Sequence, residues 1–268
     1  MTWQARLSLD YRHDGGRTVL ARRHEGPLVV QKALYPEGAN LCHTLIVHPP
    51  GGIAGGDDLA IDATVGAHAQ ALLTTPGATK WYKANGRSAA QAIRLQVAGG
   101  LEWLPQETIV FNEAQVRSSI DIDLAPAART IGWDIVALGR AAAGETFETG
   151  ELAQTIRLHD DGALLWVERT RLRGDDELLR SPIGLAGRHV FGCLWAAGPR
   201  WSDAQVESLR DALPPVAPLT RLAPRLLLAR VLAESTPVAR RALQTVWQAL
   251  RPLVFDGRAA QPPRIWAT

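Results

Sequence analysis

The chain has 268 residues, 46% of them hydrophobic and nine of them tryptophan, enough for a sizeable core and unlike a disordered chain. It carries 29 Lys and Arg against 27 Asp and Glu, a net charge of +2, so no global field directs it toward nucleic acid or an anionic membrane. Lys32, Lys80 and Lys83 are its only lysines, and the arginines are scattered without a dense basic run.

Up to about residue 200, Gly, Pro, Asn and Asp punctuate short β-branched and aromatic runs, the pattern of a mainly β protein. The first distinctive segment is His48-Pro49-Pro50-Gly51-Gly52-Ile53-Ala54-Gly55-Gly56-Asp57-Asp58, a glycine-rich loop leaving a strand. In Ile120–Leu124 the apolar Ile120, Ile122 and Leu124 alternate with Asp121 and Asp123, which predicts a strand with its aspartates on the opposite face. Residues Arg129–Leu138 read as another strand, with Asp134 set among Trp133, Ile135 and Ala137. Asp160-Asp161-Gly162 then joins Ala153–Leu158 and Leu164–Arg171 in a hairpin.

The last quarter changes character. Ser202 and Gln205 have capping-box spacing before Val206, Leu209 and Leu213, which predicts a helix. Pro214, Pro215 and Pro218 form a stiff linker, and 222–233 fits a strand or a helix. A second helix is expected from Thr236 as N-cap and Pro237 at its first position, with Val238, Ala242, Val246, Ala249 and Leu250 as apolar stripe and Pro252 or Gly257 as its end. Its other face presents Arg240, Arg241, Gln244 and Gln248, residues suited to meeting a protein partner. The tail, Gln261–Trp266, reads as extended and proline-rich. The expectation is one domain over 1–268, a β body with helices appended.

Sites for chemistry are scarce. Cys42 and Cys193 lie far apart with no C-x-x-C spacing, which signals neither a disulfide framework nor a zinc site and fits a reducing compartment. No apolar leader core or spanning run is present, so a cytoplasmic location is expected. The glycine loop lacks the spacing of a nucleotide loop and suits a tight bend. His43 and His48 fall on opposite faces of a strand and cannot share a local metal site, and no Ser or Cys sits in an activating context. Asp121 with Asp123 suits a solvated face, while Asp134 and Glu168 stand beside apolar or pairing neighbours.

Five stretches taken together resemble one family: 26–31 (GPLVVQ), His48 to Asp57, 75–82 (TPGATKWY), 101–107 (LEWLPQE) and 263–266 (PRIW). They occur in order as in the urease accessory protein D family, called H in some bacteria, and the resemblance runs from about Trp3 to the C-terminus. It implies a β-helix-like body of stacked sheets with helices packed on it. It also implies a non-enzymatic maturation factor that docks on urease apoprotein, binds accessory protein F and through it the GTPase accessory protein G, and passes nickel(II) toward the urease site. Carried over residue by residue, the proposed nickel passage falls on Asp57, Thr79, Asp134 and Glu168; Asp58 is not carried over, and other members often have Ser at Thr79. Oxygen ligands of this kind release a late first-row cation more readily than a ring of His or Cys would. No tightly bound cofactor is expected. The alternative reading is a β-rich hydrolase working through a carboxylate pair such as Asp57 and Asp134, and a third is an adaptor with no metal role.

Overall fold

Parallel strands dominate this structure because the chain winds from one sheet to another instead of folding back on itself. The computed structural model describes residues 3–267. In chain order the strands are β1 (Gln4–Asp14), β2 (Arg17–Glu25), β3 (Val29–Leu34), β4 (Leu41–Val47), β5 (Asp58–Val65), β6 (Gln70–Thr74), β7 (Thr79–Trp81), β8 (Ala89–Val97), β9 (Gly100–Trp103) and β10 (Thr108–Val110). They continue with β11 (Gln115–Leu124), β12 (Arg129–Leu138), β13 (Glu151–Asp160), β14 (Ala163–Arg173), β15 (Val190–Ala197), β16 (Leu219–Ala223) and β17 (Leu226–Ala233); the helices are α1 (Asp203–Ala212) and α2 (Thr236–Val254).

The first sheet has the order β14-β13-β11-β8-β5-β1-β2, and the second β16-β17-β15-β12-β9-β6-β4-β3. From β4 to β13 the chain alternates between them, and neighbouring turns of this coil pair in parallel. Antiparallel partners close the ends: β1 with β2, β13 with β14, and β12 with β15 and then β17. Short β7 and β10 pair in parallel beside the last residues of β12. This is the β-helix-like body that the resemblance implies. The hairpin turn is tight because Asp161 and Gly162 both adopt positive φ, as a two-residue turn between right-twisted strands requires. The segment of undecided type, 222–233, is strand: it forms the end of β16 and β17.

One apolar layer lies between the sheets, built from inward residues such as Leu7, Ile61, Leu95, Ile122 and Leu158. A second lies between the second sheet and the helices, where Ile131, Trp133, Ile135 and Leu227 meet Val206, Leu243, Val246 and Trp247. Strand β12 is therefore buried on both faces, which accounts for its nearly unbroken apolar sequence. Helix α1 has the predicted capping box, with Ser202 and Gln205 bonded reciprocally. Helix α2 departs from expectation by one residue. Ser235 is the N-cap and Thr236 the first helical residue, a change that Pro237 tolerates because the first turn needs no N–H from it. Its buried stripe is Ala239, Ala242, Leu243, Val246, Trp247, Leu250 and Val254, whereas Val238 is exposed; the bulk of Trp247 sets which stripe faces the sheet. The helix runs through Pro252, and Gly257 N–H on the Pro252 carbonyl closes it. The tail is not wholly extended: Arg264–Ala267 is a 3-10 turn, and Trp266 packs 5.3 Å from Trp133 and 5.7 Å from Trp247 between ring centroids. No helix among the described residues is long and apolar enough to cross a membrane.

The charge that fixes α2 in place is Arg251, fully buried. Its guanidinium donates to Glu102 at 2.9–3.1 Å, to Glu37 at 2.7 and 2.8 Å, and to the Ala259 carbonyl. Trp247 Nε1 donates to Glu102 at 2.8 Å, and His43 Nε2 lies 2.9 Å from Glu37. Burial works to raise the Glu37 pKa, but the bonds from His43 and Arg251 outweigh it and hold the carboxyl at about 2. That contribution is complete above the ordinary carboxyl range and is lost as pH falls toward 2. Replacing Arg251 by Leu strands two buried carboxylates and is expected to lower the unfolding free energy by about 3–5 kcal/mol. Urea denaturation measures it, with Arg12→Ala, at an exposed pair with Asp10, as the control that leaves the midpoint in place.

Candidate functional site

Along the first sheet the inward residues line up in rungs, and most rungs are apolar: Ile61, Ile93, Ile120 and Ile156 are register partners on β5, β8, β11 and β13. The neighbouring rung breaks the pattern, running Leu59, Gln91, Ser118, Gln154 and Thr170. The second sheet carries a polar rung of its own, Asp134, Cys193 and Arg230 on β12, β15 and β17. The two rungs meet across the inter-sheet layer, where Gln154 Nε2 donates to Asp134 Oδ2 at 3.0 Å.

A cavity of about 270 Å³ opens beside this contact, with Gln91, Ser118, Thr79, Trp103, His48 and Asp134 in its wall. Its other wall residues include Gly51, Pro76 and Gly77, which are exposed, so this end reaches solvent. The space suffices for several waters. Two buried polar atoms in the wall, Trp103 Nε1 and His48 Nε2, have no hydrogen-bond partner among the described residues.

Asp134 dominates the electrostatics. It is 8% exposed and has one hydrogen-bond donor on its carboxylate among the described residues, Gln154. Burial pushes its pKa up to about 6; the Gln154 bond opposes this and the charge of Glu168 adds to it. The buried Cys193 thiol is held well above its ordinary pKa by burial first, then by Glu168 and Asp134.

The four residues assigned to a passage are distributed unevenly. Asp134 and Thr79 line the same cavity. Glu168 follows Ile156 in register on the edge strand β14 and bonds Arg230 at 2.6 Å, which puts it at the seam between the sheets, outside the cavity wall but close enough to influence Asp134. Asp57 is also outside that wall: its two oxygens accept the Trp3 N–H at 2.7 Å and the Ala54 N–H at 2.8 Å. It closes the glycine loop, where Gly52 and Gly55 are required because a Cβ would meet the Tyr82 ring at 2.5 Å and the Ala84 carbonyl at 2.1 Å. The loop is thus a backbone-packing bend. Of the strand-face aspartates, Asp121 is ion-paired with Arg157 at 2.8 Å, and Asp123 lies 3.2 Å from His159 Nδ1. On α2, Arg241 and Gln248 are exposed, whereas Gln244 is half-buried and Arg240 is drawn down onto Glu107 at 2.5 Å. The expected four-residue face is therefore reduced to two fully exposed members.

Gln91, Ser118 and Gln154 are site residues that sequence reasoning missed. The signal was local: each is a polar residue at an inward position of a strand whose other inward residues are apolar, such as Leu152, Ile156 and Leu158 around Gln154. What the spacing cannot supply is the register that puts them side by side.

No three His, Cys, Asp or Glu side chains converge on a closed metal site among the described residues. Fold and cavity together define a two-sheet β coil with helices on one side and, inside, a largely apolar cavity that carries Asp134 and a few polar side chains in its wall. The profile of the UreD urease accessory protein family matches residues 4–267, and the chain belongs to that family, whose part is in urease maturation. It is 50% identical over 280 residues to the urease accessory protein UreD of Ralstonia nicotianae, covering 100% of this chain and 95% of that protein. The corresponding protein of Pseudomonas fluorescens is 51% identical over 270 residues (100% and 96% covered), and that of Methylobacillus flagellatus 47% over 275 (99% and 95%).

The raised Asp134 pKa has a sign that stability measurements read. Between the ordinary aspartate value and about 6 the unfolded chain releases the proton first, so stability falls as pH rises through that window, and the cost persists above it. Asp134→Asn is expected to unfold at higher temperature than the parent at pH 7–8, by up to about 3 kcal/mol, and to match it near pH 4. Thermal melts at the two pH values test this.

Proposed function

We propose that the protein is a non-enzymatic scaffold of urease maturation in the cytoplasm that docks on urease apoprotein, binds accessory protein F and through it the GTPase accessory protein G, and conducts nickel(II) through its inter-sheet layer. The observation that carries this reading is the facing pair of polar rungs at Asp134, in a chain of the UreD family. A carboxylate with one amide donor, set in a cavity that reaches solvent, gains by taking a cation, because the cation offsets the cost of its buried charge. Oxygen donors spaced along the layer, Thr79, Ser118, Asp134 and Glu168, bind divalent nickel loosely enough to let it leave. Asp57 serves this route indirectly, by holding the loop at the open end.

The hydrolase reading has no matching geometry. Asp57 is engaged by two backbone amides and does not share the Asp134 cavity, so the two carboxylates do not face a common substrate space.

Two outcomes follow. Asp134→Ala or Glu168→Ala should reduce the nickel content and the activity of matured urease several-fold, while the variant still co-purifies with accessory protein F; full activation in both would overturn the passage. Arg241→Glu combined with Gln248→Glu on the outer face of α2 should weaken co-purification with accessory protein F, and an unchanged pull-down would remove α2 as the docking face.

A further inference from the structure

His48 takes no part in the route through Thr79, Asp134 and Glu168, yet it holds an unusual position. It follows β4 directly, with the inward parity of Cys42, Thr44 and Ile46, while His43 takes the outward parity and bonds Glu37. Its carbonyl accepts Gly51 N–H at 2.9 Å in the turn that begins the glycine loop. Its Nε2 is buried without a hydrogen-bond partner among the described residues, and the ring lines the cavity whose wall also includes the exposed Gly51, Pro76 and Gly77. Lys80, the basic residue in that wall, alternates to the other face of β7 from Thr79 and Trp81.

We propose that His48 is the entrance ligand of the cavity, supplying the one nitrogen donor that selects nickel(II) from magnesium and calcium before the cation meets the oxygen ligands around Thr79 and Asp134. The inference rests on the passage reading and adds to it the element that oxygen ligands lack. Carboxylates, hydroxyls and amides suit magnesium and calcium as well as nickel, whereas imidazole suits late first-row cations and neither of the other two. A single nitrogen gives this preference without the closed ring of ligands that would stop release. Burial holds the imidazole pKa below its ordinary value, against the pull of the Asp57 charge, so the ring is neutral at physiological pH and its nitrogen lone pair is available. Trp103 Nε1, the other unpartnered atom in the wall, is a donor only and does not compete for a cation.

The test uses the full chain and nickel(II) sulfate as the probe. Seven histidines give seven ring signals in an NMR spectrum of histidine-labelled protein, and His48→Gln identifies the one belonging to His48. Sub-stoichiometric nickel(II), with magnesium in large excess, should broaden that signal first, and His48→Gln should weaken nickel binding at least about tenfold under the same magnesium, by calorimetry. If His48→Gln does not fold, His48→Asn provides the assignment. A His48 signal that stays sharp while nickel binds, or an unchanged Kd in the variant, overturns the inference. Asp134→Ala separates it from the broader reading. If Asp134→Ala lowers urease activation while nickel ignores His48, the entrance ligand falls and the passage stands; if Asp134→Ala also leaves activation intact, both fall.

Discussion

The central strands of the second sheet are buried on both faces, and the architecture depends on the buried Arg251 fork that makes this possible. Arg251 joins Glu102 on β9, Glu37 ahead of β4, and the tail at Ala259, so one side chain ties α2 to segments more than two hundred residues apart. With α2 held there, Trp133, Ile131 and Leu227 lose their contact with water, and Trp247 and Trp266 complete the layer. The arrangement costs the desolvation of three ions and is tolerable because the guanidinium donors and the acceptor oxygens are matched.

That constraint gives meaning to the polar residues on the inner face. Once the outward side of the second sheet is sealed by helices, its inward side meets only the first sheet, where an unpaired polar group is expensive. The sheets nevertheless oppose Asp134 to Gln154, leave Trp103 and His48 with nitrogens that have no partner among the described residues, and enclose a cavity instead of closing on it. An apolar replacement at the Gln91–Ser118–Gln154 rung would continue the isoleucine ladder beside it. The break in that ladder is a stability sacrifice of the kind found at functional sites.

Much of the fold was legible in the sequence. The hairpin turn at Asp161-Gly162, the strand Arg129–Leu138, the capping box of Ser202 and Gln205, and the strand carrying Asp121 and Asp123 all follow from local chemistry, whereas the burial of Arg129–Leu138 on both faces emerges only from the fold. The winding between two sheets did not follow from spacing, because parallel pairing joins strands whose partners lie about thirty residues away; the family resemblance supplied it. For the same reason Asp134 was visible as an acid among apolar neighbours, while its partner Gln154 was not. Thr236 and Val238 were each misplaced by one position, since an i, i+3, i+4 stripe can be threaded through adjacent residues and the packing of Trp247 decides between them. Asp57 is marked by its family motif, and its engagement with the Trp3 and Ala54 backbone amides at the end of the loop is a feature that spacing does not reveal.

The central claim is that a nickel ion enters the space between the sheets. Crystals of the protein soaked in nickel(II) and measured on both sides of the nickel absorption edge would test it most directly. The account predicts an anomalous peak between the two sheets within coordinating distance of the Asp134 carboxylate, and its loss in Asp134→Asn crystals. Peaks confined to the outer surface, with the inter-sheet cavity holding only water, would contradict it.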